Sequence, residues 1–135
     1  MAAAVIYWSG TGNTEAMAKA VAEGAGVEAV SVTDFSGDAL SYDALGLGSP
    51  AMGDEVLEES EFEPFFAGIE GKIAGKKIGL FGSYDWGDGQ FMRTWEDRVK
   101  AAGAELVNGA GIISNLEPSD DILDQCRELG KKLAQ

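Results

Sequence analysis

Two hydrophobic rhythms alternate along this chain. Short, nearly unbroken apolar runs occur at Ala3-Ala4-Val5-Ile6-Tyr7, Val27 to Val32, Asp43 to Gly48 and Ile78-Gly79-Leu80-Phe81-Gly82. Runs of that length predict strands. Between them the apolar residues recur at helical spacing. Thr14 to Glu23 carries Met17, Ala18 and Val21 on one stripe, and Gln90 to Ala102 carries Phe91, Trp95, Arg98 and Val99. Asp120 to Leu133 is a last helix, opened by the start signal Pro118-Ser119-Asp120. Glu105-Leu106-Val107 and Gly111-Ile112-Ile113 predict a fifth strand that is interrupted. Strands apolar on both faces belong to parallel sheets covered by helices on each side. Strand and helix alternating in this way imply right-handed crossovers. The expectation is a doubly wound α/β domain of about five parallel strands. In such sheets ligands lie beyond the carboxyl ends of the strands, so the informative loops follow Tyr7, Gly48, Gly82 and Ile113.

The first of these loops is Ser9-Gly10-Thr11-Gly12-Asn13-Thr14. Gly10 and Gly12 allow a tight turn with exposed N–H groups. Ser9, Thr11 and Thr14 add hydroxyls and Asn13 an amide. The positive end of the following helix points at the loop. Together these groups can solvate an anion without a cation. A P-loop would need a lysine and then Ser or Thr after the last glycine, but Asn13-Thr14 follows Gly12. A dinucleotide fingerprint would need a third glycine where Glu15 stands. A hydroxyl-rich cradle of this kind suits a terminal phosphate monoester. The plainer alternative is a glycine-rich turn with a helix cap.

Two further loops offer apolar surface to a flat ligand. Ser49-Pro50-Ala51-Met52-Gly53-Asp54-Glu55 holds a polarizable methionine beside a glycine, although Met52 could equally fill core. Gly82-Ser83-Tyr84-Asp85-Trp86-Gly87-Asp88-Gly89 sets a tryptophan among turn formers. An aromatic placed there is explained by stacking, worth ~0.5–1.5 kcal/mol beyond area burial, or by folding back onto the sheet edge.

Bulk properties narrow the function. With 135 residues, the chain is expected to be a single domain over 1–135. It carries 23 acidic against 10 basic residues, a net charge of −13. That field disfavours nucleic acid and anionic membranes and favours basic partners. It contains no histidine, the commonest general base and metal ligand, so no metal site and no catalytic group is expected. One cysteine, Cys126, allows no internal disulfide and fits a reducing compartment. No apolar run reaches the ~20 residues of a membrane span. Met1-Ala2-Ala3-Ala4 lacks the basic start of a signal peptide. A cytoplasmic monomer is expected, with Cys126 buried and inert on the last helix.

Three motifs in order resemble the flavodoxins, in particular the short-chain type of anaerobic bacteria. They are Tyr7 to Thr14, Ala51 to Ser60, and Phe81 to Tyr84 with Trp86-Gly87-Asp88-Gly89. The resemblance implies a flavodoxin-like α/β fold, five parallel strands in the order 2-1-3-4-5 with helices on both faces, and FMN as cofactor. By the same resemblance Ser9, Thr11, Asn13 and Thr14 hold the phosphate, with Ser83 contributing. Met52 and Trp86 flank the isoalloxazine ring, and Glu55 accepts from its N3–H. The Gly53–Asp54 peptide flips on reduction, and Asn115 reaches the ribityl chain or ring edge. Gly10, Gly12, Pro50, Ala51, Tyr84, Asp85 and Gly87 complete the expected cofactor contacts. Asp85 stands where the family usually has glycine. The implied role is a low-potential one-electron carrier cycling between semiquinone and hydroquinone. Its implied partners are basic faces of redox proteins, such as flavodoxin or ferredoxin reductases and oxidoreductases of anaerobic metabolism. The acidic run Asp54 to Glu63 is expected to dock them. The alternatives are a small FMN-dependent NAD(P)H or quinone reductase, for which the chain leaves little room, and a response-regulator module, for which the first loop lacks the acids.

Overall fold

A computed structural model describes residues 3–10, 12–51, 57–84 and 89–135. The strands are β1 (Ala3–Tyr7), β2 (Ala29–Ser31), β3 (Ala44–Gly48), β4 (Lys77–Tyr84), β5 (Glu105–Leu106) and β6 (Ile112–Asn115). The helices are α1 (Asn13–Ala25), α2 (Phe62–Glu70), α3 (Gln90–Ala101) and α4 (Asp120–Ala134). The sheet runs β2-β1-β3-β4-β5 and every pairing is parallel. This is the expected flavodoxin-like order.

The interrupted fifth strand is a property of β4's far edge. Lys77 and Ile78 pair with Glu105 and Leu106, whereas Phe81 to Tyr84 pair with Ile112 to Asn115. Between the two stretches Val107–Gly109 forms a 3-10 turn, with Asn108 at φ 66°. Asparagine is among the few residues that tolerate a left-handed backbone.

Side-chain alternation along the strands feeds two cores. On one face Ile6, Leu45, Leu47 and Leu80 pack with Phe62, Phe66, Phe91, Trp95 and Val99 of α2 and α3. On the other, Val5, Ala44 and Phe81 pack with Met17, Val21, Leu129 and Leu133 of α1 and α4. Cys126 is fully buried in this second core, and burial pushes its thiol up to about 12, so it is inert at neutral pH. α1 and α4 approach so closely that glycine is required at their contact. A Cβ on Gly130 would lie 2.0 Å from the Val21 carbonyl oxygen, and one on Gly24 1.9 Å from that of Arg127.

The apolar rhythm alone does not reveal α2. Its buried residues, Phe62, Phe66 and Ile69, follow the i, i+4, i+7 pattern. Pro64 and an acidic approach disguise it, yet proline is tolerated in a helix's first turn. Arg98 ties α2 to α3. Its guanidinium donates to Glu63 at 2.8 Å and to Glu70 at 2.9 Å, and lies 4.8 Å from the centre of the Phe66 ring. That explains a charged residue on the inward stripe of α3. Among the described residues no helix is long and apolar enough to cross a membrane.

Replacing Gly130 with alanine should force the two helices apart. A loss of about 2–3 kcal/mol is expected, read as a lowered urea midpoint. An unchanged midpoint would show that the helices can part without cost.

Candidate functional site

Among the described residues five polar ones are buried: Thr14, Ser49, Glu58, Ser83 and Ser114. Every one lies at or beyond the carboxyl end of a strand, where the winding of the sheet reverses between β2 and β3 on either side of β1. This is the position at which doubly wound sheets take ligands.

The loop after β1 turns through Gly12, whose φ of 97° would strain any residue with a side chain. The Gly12 N–H donates to Ser9 Oγ at 3.1 Å, and the Gly12 carbonyl accepts from Ala16 N–H at 3.0 Å, which starts α1. Among the described residues no side chain caps α1. Its first-turn acid is turned away, since Glu15 accepts from the Tyr7 hydroxyl at 3.3 Å and pairs with Lys19 at 3.5 Å. Burial first, and then the Glu15 charge, raise the Tyr7 pKa. Among the described residues, the start of α1 therefore has neither a side-chain cap nor the Glu15 carboxylate on its N–H groups. Beneath it the Thr14 and Ser83 hydroxyls lie 2.8 Å apart in the interior. Trp8 is half-buried against the first core, with its indole ring under Gly10 and its N–H donating to Glu61 Oε1 at 3.2 Å.

The loop after β3 is stitched to β4. Ser49 N–H donates to the Phe81 carbonyl at 3.3 Å and Ala51 N–H to the Ser83 carbonyl at 2.9 Å. The approach is close: a Cβ on Gly82 would lie 2.2 Å from the Ser49 carbonyl oxygen. Pro50 and Ala51 are half-buried at this edge. At the end of β4 the Tyr84 carbonyl accepts from Leu116 N–H at 2.7 Å and from Asn115 Nδ2 at 3.2 Å. Leu116 itself takes φ 62° and is half exposed, a feature that pattern reading does not reveal.

The structure thus brings together Ser9, Gly10, Gly12, Asn13, Thr14, Pro50, Ala51, Ser83, Tyr84 and Asn115 at one end of the sheet. The other expected contacts, Thr11, Met52, Gly53, Asp54, Glu55, Asp85, Trp86 and Gly87, lie outside the described residues. Two members of the acidic run are not available for docking. Glu58 is 4% exposed, and Glu63 is held by Arg98. Glu59 and Glu61 are exposed. Among the described residues no group of three or more His, Cys, Asp or Glu side chains is placed to hold a metal.

A parallel α/β sheet with a glycine turn, neutral hydroxyls and a helix start at its switch point has the layout of doubly wound α/β proteins that take ligands beyond the carboxyl ends of their strands. A sequence profile described as Flavodoxin matches residues 5–129. The chain is 51% identical over 136 residues to a flavodoxin of Clostridium beijerinckii, covering 96% of this chain and 97% of that protein. It is 45% identical over 137 residues to a flavodoxin of Megasphaera elsdenii, covering 97% of each. The solution structure of two-electron reduced Megasphaera elsdenii flavodoxin superposes with a TM-score of 0.86 at 43% identity, over 98% of both chains. The chain belongs to the flavodoxin family, in its short-chain type of anaerobic bacteria. Its cofactor is FMN, and it is a small electron carrier. The described donors fit the phosphate of that group: outward N–H groups at a helix start, neutral hydroxyls, and a glycine turn that leaves room above them.

Two carboxyls here titrate below the ordinary value of 4.5. For Glu58 burial acts upward, but hydrogen bonds from Ser60, Phe62 and Glu61 outweigh it. For Glu70 the hydrogen bonds from Arg98 lead. Carboxyls lowered in the fold contribute stability above their unfolded pKa and lose it as pH falls through the folded value. The urea midpoint should therefore hold down to about pH 5 and decline below it. Glu70→Gln should flatten part of that decline, and an identical profile would contradict the assignment.

Proposed function

We propose that this chain is a low-potential one-electron carrier that binds FMN non-covalently and cycles it between semiquinone and hydroquinone. The observation that supports this most is the uncapped start of α1 over the Thr14–Ser83 hydroxyl pair, at the switch point of the sheet. In this reading residues 1–135 form one FMN-binding domain.

The flavin supplies the redox chemistry, and the chain binds it and tunes it. Ser9, Thr11, Asn13 and Thr14 hold the phosphate with the backbone around Gly10 and Gly12. Ser83 orients Thr14 from below, and its 2.8 Å contact supports that role. Met52 and Trp86 cover the two faces of the ring, and Glu55 accepts from N3–H. The Gly53–Asp54 peptide presents its carbonyl to N5 on reduction. Pro50, Ala51, Tyr84, Asp85 and Gly87 shape the rim, and Asn115 fixes the Tyr84 carbonyl beside it. One neutral hydrogen bond of roughly 0.5–1.5 kcal/mol moves a one-electron couple by some tens of millivolts, at ~59 mV per tenfold change. The Gly53 carbonyl therefore separates the two one-electron steps.

The sign of the second step follows from charge. The three loops contain no Lys or Arg, but hold Asp54, Glu55, Asp85 and Asp88. Negative charge beside an anionic product disfavours it and lowers the potential. The same excess of acids suits basic faces of reductases and oxidoreductases, with Glu59 and Glu61 as exposed docking groups. In this reading the carrier works as a cytoplasmic monomer.

The purified protein should be yellow and release FMN on unfolding. Dithionite titration should pass through a blue one-electron form, and its absence would remove the peptide-flip assignment. Asp85→Gly should raise the second potential; an unchanged or lowered value would mean that Asp85 does not depress it. Electron-transfer rates to a basic haem protein such as cytochrome c should fall with added salt. Rates independent of ionic strength would exclude acidic docking.

A further inference from the structure

The loop between β3 and α2 is closed by two buried polar side chains that the cofactor reading leaves unused. Ser49 is 0% exposed and Glu58 is 4% exposed. Ser49 Oγ accepts from Glu58 N–H at 3.1 Å, across nine positions of chain, and donates to the Pro50 carbonyl at 3.0 Å. One hydroxyl therefore joins the two ends of the loop. The Glu58 carboxylate then fixes the start of α2. Oε1 accepts from Glu61 N–H and Phe62 N–H, each at 2.8 Å. Oε2 accepts from Ser60 N–H at 3.0 Å and from the Ser60 hydroxyl. Glu61, at the N-cap position of α2, makes no side-chain cap; the Glu58 carboxylate takes the N–H groups of Glu61 and Phe62 instead, and the Glu58 carbonyl takes that of Glu63 at 2.8 Å. On the sheet side the Ser49 and Ala51 N–H groups bind β4, and Ser83 carries the connection on to Thr14. A continuous path runs from α2 to the phosphate cradle: Glu58, Ser49, Ala51, Ser83, Thr14.

We propose that Ser49 and Glu58 are positioning residues, a clamp that sets the geometry of the 50–57 loop and through it the reduction potentials of the bound flavin, without touching the cofactor. The inference rests on the proposed reading that this loop borders the ring. Its physical basis is the donor count. Four donors converge on a single carboxylate. Glutamine at this position offers one acceptor oxygen and turns an NH2 donor toward the remaining donors, so at least one backbone N–H at the start of α2 loses its partner. The carboxylate could otherwise matter only as a negative charge near the flavin. Glu59, next in sequence and exposed, carries the same charge without the clamp and so separates the two explanations.

The test compares Glu58→Gln, Glu59→Gln and Ser49→Ala. In the protein freed of FMN, amide exchange at residues 58–62 should be about tenfold faster in Glu58→Gln and Ser49→Ala, and unchanged in Glu59→Gln. In the FMN-loaded protein, Ser49→Ala should shift both midpoint potentials although it removes no charge. Glu58→Gln should shift them further than Glu59→Gln. Equal shifts for the two glutamine variants, or parent potentials in Ser49→Ala, would overturn the clamp. If Glu58→Gln does not fold, the Ser49→Ala potentials decide alone. Gly53→Ala isolates the underlying reading. Shifted potentials there with parent potentials in Ser49→Ala sink the clamp only, whereas parent potentials in Gly53→Ala sink the ring-loop reading and the clamp with it.

Discussion

A parallel sheet buried on both faces leaves its backbone no freedom. Each interior N–H and C=O must be paired within the ladder, and each crossover must carry the chain back to the same end before the next strand begins. β1, β3 and β4 form that ladder here, with five consecutive register pairs on each side of β3. All three therefore release their loops at one edge. The glycine-rich loop after β1, the stitched loop after β3 and the turn after β4 converge there because the ladder directs them there. β4 outruns β3, and its last three residues, Gly82 to Tyr84, pair in the ladder only with β6. Those residues bring Ser83 beneath Thr14 and place the Tyr84 carbonyl at the edge.

The chemistry of the interior divides along the same axis. The two cores are built from apolar side chains, and the buried polar residues gather at the carboxyl end. Burying a hydroxyl or carboxylate costs stability unless its hydrogen bonds are made. Thr14 and Ser83 meet that condition through each other, Ser49 through the Glu58 N–H and the Pro50 carbonyl, and the Glu58 carboxylate through donors of residues 60 to 62. The result is a rigid polar floor under loops that must present donors outward. The folded interior thus stays apolar where only packing is needed, and becomes polar at the carboxyl ends of the strands.

Much of the fold was legible in residue patterns. Strands β1, β3 and β4, helices α1, α3 and α4, and the broken fifth strand all show in hydrophobic spacing, since each buries a well-defined face. β2 is shorter than its run from Val27 to Val32 suggests, because only Ala29–Ser31 meet β1. α2 escaped because its approach is acidic and Pro64 interrupts its first turn. Arg98 looked like part of an apolar stripe, and only the meeting of α2 and α3 shows two carboxylates around it. Glu58 looked like one more surface acid in a charged run. Its burial depends on donors from residues 60 to 62 and on Ser49, a combination that no local pattern predicts.

The sequence by itself determined the glycine- and hydroxyl-rich turn that opens α1, because glycines, hydroxyls and a helix start are local properties. It also determined the sign of the electrostatics, since charge needs no coordinates, and the alternation that yields a parallel sheet. Only the tertiary structure decided which polar groups share the interior. The contacts between Thr14 and Ser83, Trp8 and Glu61, and Arg98 and its two glutamates join residues distant in sequence. Such pairs are specified by the ladder register and the packing of helices across it. Their partners come from different elements, so no single stretch of the chain contains the information.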